Sequence, residues 1–272
     1  MPSPALAIRT EALSRSFGPK RALESLDLTV RAGSLFALLG PNGAGKSTTI
    51  QILTTLLAPS AGRAFVDGHD VQSDPRSVRR VSGVVFQDSS LDDRLTAREN
   101  LDLHGAIFGV PRRERRARAE TQLAWIGLAG VGDNLVRTFS GGMKRRLEIA
   151  RALVHDPSIL ILDEPTVGLD PQTRRAVWDK LAEIAATPER RRTVFVTTHY
   201  MDEAERCDDV VILDHGRLLA RGTPKELCDR TGTTRLEDAF VSFTGHDIRD
   251  ASDEQGAGMS GMKMRLRMNG RG

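Results

Sequence analysis

Short apolar runs bounded by turn residues recur towards both ends of this chain and predict buried strands. Leu35-Phe36-Ala37-Leu38-Leu39, Ile159-Leu160-Ile161-Leu162 and Thr193-Val194-Phe195-Val196-Thr197 have strand length and almost no polar interruption. Mixed or shorter runs predict further strands at Ala5 to Arg9, at Leu26, Leu28 and Val30 ending at Gly33, at Ala64 to Val66 before the Asp67-Gly68 turn, and at Val84 to Phe86. Helical spacing follows two of the buried runs. Ile50, Leu53, Leu56 and Leu57 repeat until Pro59, and Val177, Trp178, Leu181 and Ile184 form a stripe behind an Asp170 N-cap and Pro171.

Between residues 88 and 154 the strand signal stops and helices follow one another, so this stretch is read as a helical insertion in an α/β domain. Thr96-Ala97-Arg98-Glu99 has capping-box spacing, and Gly109 closes the helix it opens. Pro111 starts a second helix with Arg112, Arg113, Arg115, Arg116 and Arg118. That run is either a solvated face or a surface for an acidic partner or lipid headgroups; the burying residues Trp125, Ile126 and Leu128 that follow favour the first. Beyond the last buried run, Asp209 to Leu213 and Arg217 to Ala220 read as a hairpin around Asp214-His215-Gly216. Thr223 and Glu226 form a second capping box, and Leu236, Phe240 and Phe243 share one helical face. From His246 onward Gly, Ser, Asp and Arg dominate and predict disorder; a basic contact segment carrying Met259, Met262, Met264 and Met268 is the alternative.

Composition changes this picture little. The 272 residues are 39% hydrophobic, ample for a core, and 39 basic against 36 acidic side chains leave only +3, so no nucleic-acid partner is expected. Cys207 and Cys228 fit no metal spacing and are expected to be reduced. No run approaches the ~20 apolar residues of a spanning helix, and the first residues lack a signal-peptide pattern.

The chemistry is concentrated in Gly40-Pro41-Asn42-Gly43-Ala44-Gly45-Lys46-Ser47-Thr48, which fits G-x-x-x-x-G-K-[ST] between a buried strand and a helix. Glycines let successive N–H groups face one phosphate chain, the helix start adds partial positive charge, Lys46 reaches the β- and γ-phosphates, and the Ser47 hydroxyl can ligand Mg²⁺. A nucleoside triphosphate is the expected ligand. Asp163 and Glu164 end the Ile159 run, the first suited to hold Mg²⁺ and the second to polarise an attacking water. His199 follows the Thr193 run and points towards the same edge, where a γ-phosphate contact is favoured over a structural role. Gln87 is either a ligand for metal or water or an ordinary surface strand end. Phe17, placed in a polar loop, either stacks on an adenine or closes the sheet edge. Ser140 N-caps a helix whose Gly141 and Gly142 leave the first N–H groups bare, a second anion-binding helix start that one chain does not explain.

Taken together, these motifs resemble the nucleotide-binding subunit of an ATP-binding cassette (ABC) transporter, over about residues 5–245. The resemblance implies a P-loop core with an antiparallel β subdomain and an inserted α-helical subdomain. It also implies a cassette over residues 1–230, a short extension over 231–245 and a tail over 246–272. It gives Phe17 the adenine-stacking role, Gln87 contact with Mg²⁺ and the attacking water, and Asp163 the magnesium. Glu164 becomes the catalytic glutamate and His199 the switch histidine, Asp170 falls in the inter-subunit loop, and Ser140-Gly141-Gly142 is the family signature. That signature departs from the common L-S-G-G-Q at Phe139 and Met143. Its F-S-G-G-M-K-R-R-L-E form, with the late L-E-D-A-F segment, looks like the branch serving ABC-2 type exporters of drugs, lipids or polysaccharides. The family's head-to-tail dimer, sandwiching two ATP, would explain the second helix start. Separate transmembrane permease subunits and a peripheral place on the cytoplasmic side of the membrane are implied, with homodimer and heterodimer both open. A soluble assembly-type cassette ATPase and an importer subunit are the alternatives.

Overall fold

A computed structural model describes residues 5–187 and 192–245. Along the chain run β1 (Leu6–Phe17), β2 (Lys20–Leu26), β3 (Thr29–Arg31), β4 (Leu35–Leu39), α1 (Lys46–Leu53), β5 (Ala61–Val66) and β6 (His69–Asp70). Then come α2 (Pro75–Val81), β7 (Ser82–Val85), α3 (Ala97–Ile107), α4 (Arg112–Trp125), α5 (Gly141–Leu153), β8 (Ile159–Asp163) and α6 (Pro171–Ala186). The chain continues with β9 (Thr193–Thr198), α7 (Met201–Ala204), β10 (Asp209–Asp214), β11 (Arg217–Gly222), α8 (Pro224–Thr231) and α9 (Leu236–Thr244). The tail on which disorder or a Met-rich contact was expected lies outside the described residues.

Two sheets carry the fold. One has six strands in the order β11-β10-β4-β9-β8-β7, with β10, β4, β9, β8 and β7 parallel and β11 antiparallel at one edge. The other, antiparallel, runs β2-β1-β5-β6 with β3 on β1. Strand periodicity divides the core: Leu35, Ala37 and Leu39 face one cluster with Leu160, Leu162, Val194 and the Val177-Trp178-Leu181-Ile184 stripe. Phe36 and Leu38 face the opposite cluster with Ile159, Ile161, Phe195 and the antiparallel sheet. Phe36 and Phe195 stack across neighbouring strands with centroids 5.1 Å apart. A third cluster, formed by Leu101, Leu123, Ile126, Leu128, Leu147 and others, is the core of the helical insertion. Leu236, Ala239 and Phe240 of α9 are buried in the same cluster as β4 and β8.

Three expectations are corrected. Phe17 does not sit in a polar loop; β1 runs on to it, through irregular pairing with β2, and Gly18-Pro19 turns the hairpin. Polar Arg15 and Ser16 concealed a strand whose outer half faces solvent. The helix after the phosphate loop stops at Leu53, which leaves Leu56 64% exposed rather than on its buried stripe. Helices α2, N-capped by Asp74, and α7 lie where no helix was expected. Both capping boxes are present, at Thr96–Glu99 and Thr223–Glu226. Cys207 and Cys228 are free.

Candidate nucleotide site

Lys46 is reached through a glycine loop with no room for side chains at its two ends. A Cβ on Gly40 would lie 2.3 Å from the Leu213 carbonyl oxygen, and one on Gly45, at φ +109°, 2.6 Å from that of Ala22. Helix α1 starts at Lys46 behind a Gly45 N-cap that offers no side chain, so no cap side chain occupies the N–H groups of its first turn. Lys46 is 5% exposed, and its ammonium donates to the carbonyls of Gly40 (2.7 Å) and Pro41 (3.0 Å). It also lies 3.1 Å from Glu164 Oε1. Burial lowers its pKa, and the Glu164 carboxylate acts against that shift.

The parallel register brings the remaining groups to the same edge. Leu39 pairs with Thr198, and Asp163 with Thr197, so β4, β8 and β9 end side by side. Thr197, fully buried, donates from Oγ1 to Asp163 Oδ1 at 2.6 Å and accepts from the Glu164 N–H at 3.1 Å. Glu164 holds φ +44°, a left-handed conformation that costs a residue with a side chain roughly 1–2 kcal/mol. His199 Nδ1 has no aligned hydrogen-bond partner among the described residues but lies 3.3 Å from Glu164 Oε1. Burial raises the Glu164 pKa, yet His199 and Lys46 together outweigh it and bring the carboxyl down to about 2.

These groups open into a cleft of about 380 Å³ lined by Phe17, Lys20, Ala22, most of the phosphate loop through Thr48, Gln87 and Glu164. The strand β1 hairpin therefore delivers Phe17, 46% exposed, to the rim, with the Arg15 guanidinium 4.7 Å from its ring. Gly40 and Ala44 are buried members of the loop, Asp163 is 6% exposed, and His199 stands beside Glu164. Ser140, Gly141, Gly142 and Asp170 are not among the lining residues. They form a separate group. Ser140 caps α5 through the Met143 N–H, and a Cβ on Gly142 would lie 2.6 Å from Thr173 Cγ2. Thr173 in turn donates to Asp170, which caps α6. Among the described residues nothing within 4 Å would meet a Cβ on Gly141, so the helix start is open there.

Sequence reasoning missed Thr197, Lys20 and Ala22, and also Arg145 and Glu148 behind the site. Arg145 and Glu148 sit three apart on a helix, a spacing that signals an ion pair but not its burial.

Comparisons with known proteins agree with this geometry. The family model for ABC transporter matches residues 23–167. The chain is 46% identical over 241 residues to the daunorubicin/doxorubicin resistance ATP-binding protein DrrA of Streptomyces peucetius, covering 87% of this chain and 72% of that one. It is 44% identical over 225 residues to the Nod factor export ATP-binding protein I of a Rhizobium species, covering 82% and 73%. A dimeric ATP-binding cassette in a post-hydrolysis state, bound to ADP and Pi, superposes with a TM-score of 0.71 at 28% identity over 79% of this chain and 98% of that one. Phosphate loop, strand-edge acids, fold and relatives lead to one conclusion: the chain belongs to the ABC transporter family, as an ATP-hydrolysing cassette.

Proposed function

We propose that the chain is the ATPase subunit of an ABC-2 type exporter, driving efflux of a drug-like, lipid or polysaccharide substrate through separate membrane subunits. The observation that carries the export reading is its likeness, above 40% identity, to ATP-binding proteins named for drug resistance and for Nod factor export. Among the described residues no helix is long and apolar enough to cross a membrane. A peripheral position on the cytoplasmic face, against a permease, follows instead from reading the chain with the export ATP-binding proteins it resembles. Two copies would close head to tail, because Ser140-Gly141-Gly142 lies away from the cleft of its own chain and, among the described residues, nothing covers Gly141. The dimeric cassette among the structural relatives supports a dimer.

In this reading the triphosphate lies along the loop N–H groups and the start of α1, Phe17 stacks on the adenine, and Lys46 takes the β- and γ-phosphates. Lys46 would then leave Glu164. Because Lys46 is one of the groups holding the Glu164 carboxyl low, its departure raises the basicity of the carboxylate as substrate arrives. Water oxygen attacks the γ-phosphorus, the bond to the β,γ-bridging oxygen breaks, and Glu164 takes the water proton; ADP and phosphate are the products. His199 orients the carboxylate, and Gln87 holds the water.

Mg²⁺ fits the oxygen donors at hand, since the Ser47 hydroxyl and Gln87 amide line the cleft and Asp163 keeps one oxygen clear of Thr197. It would supply charge neutralisation on the β- and γ-oxygens. The test of this reading is Glu164→Gln. It should bind ATP, barely hydrolyse it and accumulate as an ATP-loaded dimer on gel filtration; turnover near that of the parent protein contradicts it.

A further inference from the structure

Arg145 lies in the Lys144-Arg145-Arg146 run, and its side chain turns inward, 8% exposed, behind the catalytic turn. A guanidinium has five N–H donors in a fixed fork. Here all five are used. Nε donates to the Pro165 carbonyl, and one terminal nitrogen to the Phe86 carbonyl (2.6 Å) and to Glu148 Oε2 (2.9 Å). The other donates to the carbonyls of Asp163 and Glu164, each at 3.2 Å. Three consecutive carbonyls, of Asp163, Glu164 and Pro165, thus converge on one cation, and the positive φ of Glu164 goes with a chain curled around it. Glu148, 4% exposed at its side chain, completes the unit, because its Oε1 accepts from the Ser90 N–H in the segment that follows Gln87.

We infer that Arg145, paired with Glu148, is a positioning residue for hydrolysis. It clamps the backbone turn that carries Glu164 to the residue before Gln87 and to helix α5, whose first turn is Ser140-Gly141-Gly142. It does not touch the nucleotide cleft, whose lining excludes it. The same guanidinium therefore links three parts of the site: the turn that presents the base, the strand end that presents Gln87, and the helix that presents its start to a second copy. A displacement of α5 cannot leave Glu164 in place unless these bonds break. The inference rests on the reading of Glu164 as the base.

Lysine at this position keeps the charge but offers three donors from a single point, which cannot meet five acceptors spread around a planar fork. The experiment compares Arg145→Lys and Glu148→Gln with the parent in the full chain, measuring affinity for a non-hydrolysable ATP analogue, kcat for ATP per nucleotide-binding-competent molecule, and thermal stability. Expected is a kcat at least tenfold lower in both variants with analogue affinity within threefold of the parent. A purely structural role would lower stability and the competent fraction, leaving kcat per competent molecule unchanged. Values of kcat within twofold of the parent, or a loss confined to nucleotide affinity, overturn the inference. If Arg145→Lys does not fold, Glu148→Gln decides alone, since it keeps the side-chain volume. Glu164→Gln is assayed alongside. Turnover in that variant removes the reading of the base and this inference with it, whereas an inactive Glu164→Gln beside fully active clamp variants refutes the clamp alone.

Discussion

Replacing Glu164 by Gln should do more than slow hydrolysis. It should destabilise the nucleotide-free chain while improving its hold on ATP. The Lys46–Glu164 pair is separated by 3.1 Å, with side chains 5% and 10% exposed. At an effective dielectric near 20 that distance corresponds to about 5 kcal/mol of gross attraction. Desolvation offsets part of it, and Lys46 keeps two carbonyl acceptors after the change. The net loss should therefore fall near the lower end for breaking a buried pair, about 3 kcal/mol. Removing both charges with Lys46→Met/Glu164→Gln should recover much of it, giving a coupling of roughly 2 kcal/mol in a double-mutant cycle by denaturant unfolding. The Glu164 carboxyl is depressed from 4.5 to about 2 in the folded chain. Its contribution is therefore complete above about pH 4.5 and fades as pH falls towards 2, and the stability gap to Glu164→Gln should follow that course. Phosphates also compete with Glu164 for Lys46, so the variant should bind a non-hydrolysable ATP analogue about fivefold more tightly, using roughly half of the coupling. Additive single changes, or analogue binding weaker than in the parent, would refute the argument that Lys46 exchanges one anion for another.

Two further outcomes follow from the geometry. Phe17→Ala should weaken ATP by about 1–3 kcal/mol, the scale of base–aromatic stacking, and leave inorganic triphosphate affinity unchanged; equal losses for both ligands in a binding titration would remove the stacking role. Gly142→Ala brings a Cβ within 2.6 Å of Thr173 Cγ2 and must displace either Thr173 or the start of α5, at roughly 1–3 kcal/mol of overpacking. ATP binding to the monomer should persist while ATP-driven dimerisation in a Glu164→Gln background is lost, as read by light scattering.

Much of the site was legible because its chemistry is contiguous. The loop from Gly40 to Thr48 writes its own backbone path, and Asp163-Glu164 ends an apolar run whose strand character is plain from residues 159–162. The buried stripe of α6 and both capping boxes were equally local. What stayed hidden depends on register between distant strands. Thr197 looks like one more β-branched strand residue until β9 pairs with β8 and sets its hydroxyl against Asp163. Arg145 reads as a solvated cation, since nothing near it in sequence announces the carbonyls of residues 86 and 163–165. Phe17 was found but misplaced, because the alternation of β1 is blurred by bulges and by an outer half with little to bury.

Whether the cassette drives a separate exporter in the membrane can be decided by purifying the tagged full chain from gently solubilised native membranes and identifying what accompanies it. A cassette of this kind should bring with it a stoichiometric polytopic partner with no phosphate loop of its own, whose presence changes the ATPase rate of the parent chain and not that of Glu164→Gln. Recovery only from the soluble fraction, with cytosolic proteins and an ATPase rate indifferent to membranes, would contradict it.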